Sequence, residues 1–117
     1  MQLETLSPMM QQWHTCKQQA GNNLLLFRLG DFYEAFDEDA KELARILGIT
    51  LTARNGVPMA GVPAQTLESS VTKIVQHGRR VAIVEQEESG QSGTKKILMR
   101  KITHFISSGT LNQFRES

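Results

Sequence analysis

Residues 24–36 read Leu24-Leu25-Leu26-Phe27-Arg28-Leu29-Gly30-Asp31-Phe32-Tyr33-Glu34-Ala35-Phe36, and two local structures compete for the second half of that stretch. Leu24 to Leu29 is a short apolar run bounded by Gly21-Asn22-Asn23 and Gly30, the pattern of a mostly buried strand. Asp31 followed three residues later by Glu34 is the pattern of a helix capping box, and Phe32, Phe36, Ala40, Leu43 and Leu47 make a helical stripe. Alternatively, Gly30-Asp31 is a two-residue hairpin turn with glycine first, the type II′ preference, and Phe32 to Phe36 returns as a second strand. Phe32, Tyr33 and Phe36 are good strand formers. Asp37 can then cap a helix from Glu38 to Leu47 that keeps Ala40, Leu43, Ala44 and Leu47 on one face, with Gly48 as its stop. We adopt the hairpin.

Working outward, Ser7-Pro8 opens a helix over about residues 8–20, with serine as cap, proline in the first turn, and Met9, Trp13 and Cys16 on one stripe. Downstream, Ile49 to Thr52 reads as a short strand and Asn55 to Pro58 as a loop. Pro58 to Pro63 is a small-residue passage too rich in proline for a central strand. A third helix runs from about Gln65 to Gln76 on a stripe of Leu67, Val71, Ile74 and Val75 and stops at Gly78. Val81 to Val84 is an apolar, central strand, Glu87 to Thr94 a mobile loop, and Ile97 to Ile106 a last long strand; the tail from Ser107 has no strong pattern. Helical and strand patterns alternate, which predicts an α/β domain of the α+β type, a central mixed sheet flanked by about three helices. With 117 residues, one domain covers the chain.

Composition excludes several classes. Apolar content of 39% and charged content of 21% fit a folded globular domain rather than a disordered one. The longest apolar runs, such as Leu24 to Phe27, are far short of a membrane span. The opening MQLETLSPMMQQW has no basic stretch followed by an apolar one, so no secretory signal is expected and a cytoplasmic location is. Cys16 is the single cysteine, and His14, His77 and His104 are scattered, so neither a disulfide nor a metal site is expected. No phosphate-binding loop of the form GxxxxGK[ST] occurs, and no catalytic residue stands out. Net charge is +1, unevenly spread: residues 31–42 carry six acids against Lys41, and residues 95–101 carry Lys95, Lys96, Arg100 and Lys101 without an acid. Such a dipolar surface can lay a basic face on phosphate, or can be two solvated faces of a neutral domain.

The stretch Leu25 to Phe36 resembles the signature of the mismatch-recognition domain (domain I) of the MutS family of bacterial DNA repair proteins. The opening SPMMQQW is similar to that family's first segment. Ile49-Thr50-Leu51-Thr52-Ala53-Arg54, Pro58 to Pro63, Val81 to Gln86 and Gly109-Thr110-Leu111 match further family blocks in the right order, so the resemblance covers essentially the whole chain. It implies a module that inspects duplex DNA with an aromatic-x-Glu motif, here Phe32-Tyr33-Glu34: the ring wedges in beside a mispaired or unpaired base, and the carboxylate accepts a hydrogen bond from that base. Two residues apart on a strand share a face, whereas on a helix they diverge by about 200°, which favours the hairpin again. Further DNA-contacting candidates are Leu29, Arg54, Met59, Lys95 and Lys96. The resemblance also implies a longer parent that binds ATP and Mg in domains outside this chain, is homodimeric, and works with a MutL-type partner; no cofactor or metal is expected in this domain.

Two other classes remain open at this level. One is a small metal-dependent nuclease built on Asp31, Glu34 and Asp37, although that spacing does not gather three ligands on one strand face. The other is a protein-interaction adaptor of the same fold that does not touch DNA.

Overall fold

The computed structural model describes residues 7–92 and 95–116, with side chains described outside residues 88–97. Ser7 caps the first helix, α1 (Pro8–Ala20), by accepting the Met10 amide at 3.3 Å, and Pro8 occupies the first turn. The chain then forms β1 (Leu24–Leu29) and β2 (Phe32–Phe36), joined by Gly30-Asp31 in register Leu29 to Phe32. Gly30 has φ +58° and Asp31 is not among the residues of positive φ, the type II′ pattern expected of glycine in first position. The hairpin reading therefore holds.

The remaining elements are α2 (Glu38–Leu47), β3 (Thr52–Arg54), β4 (Val57–Pro63), a 3₁₀ turn (Ala64–Thr66), α3 (Leu67–Gln76), β5 (Val81–Ser92), β6 (Lys95–Ile106) and the short α4 (Leu111–Glu116). Six strands make one sheet in the order β3-β4-β2-β1-β5-β6. The β1–β5 pair is parallel and the other pairs are antiparallel, so the sheet is mixed, as predicted.

Alternation along the strands splits the core between the two faces of the sheet. Leu24, Leu26, Tyr33, Ala35, Ala60, Val62, Val81 and Ile83 pack with Leu43, Val71 and Ile74 under α2 and α3, and Leu111 and Phe114 of α4 join them. On the opposite face Leu25, Phe27, Phe36, Ala82 and Val84 pack against Trp13, Cys16 and Ala20 of α1. One helix thus covers a face that is six strands wide, and part of that face stays open.

Several sequence expectations are corrected. The strand expected at Ile49–Thr52 lies at Thr52–Arg54, because the Ile49 amide closes the end of α2 on the Ala44 carbonyl at 3.1 Å. Pro58 to Pro63 is an inner strand despite its prolines. Pro58 is the second residue of β4, and Pro63 is its last, beyond the stretch that β3 covers. Asn55 and Gly56 both have positive φ (51° and 80°) and make a tight hairpin rather than a loose loop. Glu87–Thr94 is no loop up to Ser92: β5 runs on to Ser92 and pairs with Lys95, and residues 93 and 94 lie outside the described ones. Asp37 forms no side-chain cap; at φ 59° it offers its carbonyl to the Ala40 and Lys41 amides instead. Among the described residues no helix is long and apolar enough to cross a membrane.

Candidate nucleic-acid interface

The site begins with strand register. Leu29 faces Phe32, Glu34 faces Gly61, and Phe36 faces Met59, which in turn faces Thr52; Arg54 faces Val57. Paired residues of antiparallel strands point the same way, so Leu29, Phe32, Glu34, Met59 and Arg54, drawn from β1, β2, β4 and β3, all lie on the sheet face that α1 only partly covers. Five sequence-predicted candidates converge there.

Their exposures differ. Phe36 is 1% exposed and sits edge-on to Trp13, with ring centroids 5.7 Å apart. Phe32, on the same strand face, is 45% exposed. Phe105 of β6, opposite Ala82 and so on the same face, is 56% exposed at the far side of the sheet; Phe32 is the open ring at the hairpin, among the other candidate residues. Leu29 and Met59 are half-buried and pack against the α1-side core, so they support the ring's surroundings rather than stand free.

The hairpin that carries Phe32 is held at its turn and from the opposite face of the sheet. The Asp31 carbonyl accepts the Ala64 amide at 2.7 Å, which ties the turn to the end of β4. On the opposite face Tyr33, 3% exposed, donates its hydroxyl hydrogen to Glu85 of β5. Arg28 donates to the same hydroxyl at 3.1 Å, pairs with Glu85 at 3.5 Å, and lies over the Tyr33 ring. Burial first, and then the bond to Glu85, push the Tyr33 hydroxyl above the usual phenol range, so it keeps its proton. Tyr33, between the two motif residues, is the anchor of the motif. In the sequence its aromatic character signals only strand propensity, and the alternation of faces is what assigns it inward.

Glu34 is half-buried. Desolvation raises its pKa above the usual carboxylate value, and the charge of exposed Arg54 opposes the shift. The sign follows directly. A carboxyl whose folded pKa is raised contributes stability while it is neutral and loses that contribution as pH rises through the raised value. Glu34→Gln, which is always neutral, is expected to melt above the wild-type chain at neutral pH. Thermal melts across the acid range check this: the gap should close as pH falls below the ordinary glutamate value, and a gap independent of pH would contradict it.

Arg100 and Lys101, the described side chains of the basic stretch, do not form one patch, because alternation divides them between faces. Arg100 is tied to the Arg28 carbonyl at 2.9 Å and to Gln12 at 3.2 Å, and lies 5.2 Å over the Phe27 ring. Lys101 pairs with Glu87 at 3.3 Å. The side chains of Lys95 and Lys96 lie outside the described ones. The acidic stretch is also not uniformly solvated: Asp39, 6% exposed, accepts the Leu25 amide at 3.1 Å and the Lys17 ammonium at 2.8 Å, joining α2, β1 and α1. Among the described residues no three His, Cys, Asp or Glu side chains are close enough to hold a metal ion, and nothing in the geometry supports the Asp31, Glu34, Asp37 nuclease.

Comparison with known proteins places the family. The family described as MutS domain I matches residues 7–115. A protein of Chlamydia trachomatis named DNA mismatch repair protein MutS is 54% identical over 106 residues, 91% of this chain and 13% of that protein. Proteins of the same name from Protochlamydia amoebophila and Thermosipho melanesiensis are 49% and 47% identical, over 91% and 93% of this chain. The chain spans about 13% of the length of these relatives. With its opening helix, its hairpin and its Val57–Pro63 strand all inside the matched span, the chain belongs to the MutS domain I family.

Proposed function

We propose that this chain is the DNA-reading module of a mismatch repair protein, and that Phe32 and Glu34 are its reading residues. The observation that carries the reading is the ring of Phe32, 45% exposed on a hairpin fixed at its turn and from the opposite face, with Glu34 beside it on the same face. A ring that unstacks a base step costs a few kcal/mol on a matched duplex and less where pairing is already faulty. Its stacking returns on the order of 1–3 kcal/mol whatever the base, which suits a sensor of many mismatches and small unpaired loops. Glu34 adds discrimination: near phosphates a carboxylate is repelled, and only a donor on a displaced base offsets that. Arg54, exposed at the hairpin of β3 and β4, suits a phosphate contact, and Lys95 and Lys96 remain candidates by charge.

On this proposal the chain itself catalyses nothing. ATP and Mg, the homodimer contacts and a MutL-type partner belong to the remainder of a longer cytoplasmic protein whose substrate is mismatched duplex DNA. Fluorescence anisotropy with matched and mismatched duplexes tests the reading. The isolated chain is expected to bind weakly, near roughly 10⁻⁴–10⁻⁶ M, with a steep loss of affinity as salt rises. Tight, salt-insensitive binding by the chain alone would contradict it, as would a full-length parent with no preference for mismatches.

A further inference from the structure

Gly61 is the residue opposite Glu34 in the β2–β4 pair. A Cβ built on Gly61 would overlap the Glu34 carboxyl group, and the three nearest atoms it would meet all belong to that group, Oε1 at 2.6 Å among them. The Glu34 carboxylate therefore lies down across β4 in the space a side chain would fill. Backbone geometry gives no other reason for glycine here, since Gly61 is not among the glycines of positive φ. Glycine in a strand is otherwise a weakness.

We propose that Gly61 is the positioning residue for Glu34: the missing side chain at 61 makes the slot in which the carboxylate is held low against the sheet, beside the exposed ring of Phe32. The inference rests on the proposed reading role of Glu34, and it adds what sets the height and direction of that carboxylate. Lying in the slot removes part of the carboxylate's water, consistent with desolvation as the larger influence on it and Arg54, from β3, as the charge acting against it. With any larger residue at 61, the flexible end of Glu34 has to lift away. The overlap is with a side-chain tip and not with backbone, so the fold can absorb the change.

Gly61→Ala tests this. In the chain as it stands, the melting temperature is expected to hold or rise, because alanine suits a strand better than glycine. The Glu34 carboxyl, followed by NMR titration, is expected to move back toward the ordinary glutamate range. An unmoved titration would overturn the proposal. In the full-length parent, Gly61→Ala is expected to lower mismatch preference as much as Glu34→Ala does, and to add nothing in a Glu34→Ala background, since it acts only through that carboxylate. A further loss in the double variant would overturn the proposal. If Glu34→Ala alone kept full preference, the reading role of Glu34 would fail, while the titration would still decide what Gly61 does.

Discussion

Phe36→Ala is expected to cost the fold about 3–5 kcal/mol, whereas Phe32→Ala, four residues earlier on the same strand face, is expected to leave the melting temperature nearly unchanged. The two rings differ only in what covers them. Phe36 is 1% exposed and packed edge-on against Trp13, in a core that also holds Phe27 and Leu25. Removing it leaves a cavity that α1, a single helix over that face, has little neighbouring mass to refill. For a domain of this size the loss amounts to more than roughly 10 °C in melting temperature. Phe32 at 45% exposure has much of its ring in water already, so truncation removes little buried area. Thermal melts of the two variants side by side check this, and a collapse of Phe32→Ala would return that ring to the core and remove the wedge.

The largest functional effect is expected from the same Phe32→Ala change in the full-length parent. If stacking supplies on the order of 1–3 kcal/mol of mismatch affinity, its loss lowers the preference for mismatched over matched duplex by about 5- to 150-fold. Glu34→Ala is expected to differ in kind. It takes a negative charge away from phosphates, so affinity for matched DNA holds or rises while preference falls. Titrating both variants with matched and mismatched duplexes at one salt concentration separates stacking from hydrogen bonding at a single site. Retention of full preference by either variant would mean that its residue does not read the DNA.

What was legible in the sequence was local. Gly30-Asp31 names its own turn type, Ser7-Pro8 its own cap, and Gly48 its own stop, and each needs only neighbours in the chain. Period-two alternation then put Phe32 and Glu34 on one face before any sheet existed. The misreadings concern pairing at a distance. Pro58 and Pro63 look hostile to a strand until β2 and β3 are in place beside them, and the polar run after Glu87 looks like a loop until β6 pairs with it. The Asn55-Gly56 turn signal is present in the sequence, but the prolines that follow it mask the second strand of its hairpin. Asp39 and Gly61 could not be found from the sequence. Their roles depend on Lys17 and the Leu25 amide in one case, and on the reach of the Glu34 side chain in the other.

The parallel pairing of β1 with β5 sets an order of events during synthesis. The hairpin of β1 and β2 needs only adjacent residues and can close within microseconds. Its other neighbour does not yet exist: Leu24 pairs with Val81 and Phe27 with Val84. At roughly 5–20 residues per second, the ribosome delivers that strand seconds later. Until then Leu24 to Phe27, buried on both faces in the finished domain, present an unpaired apolar edge. The Glu85 that fastens Tyr33 arrives with the same late strand. The reading hairpin is thus made early and fixed late, and a nascent chain stalled before residue 84 would carry its most adhesive segment uncovered.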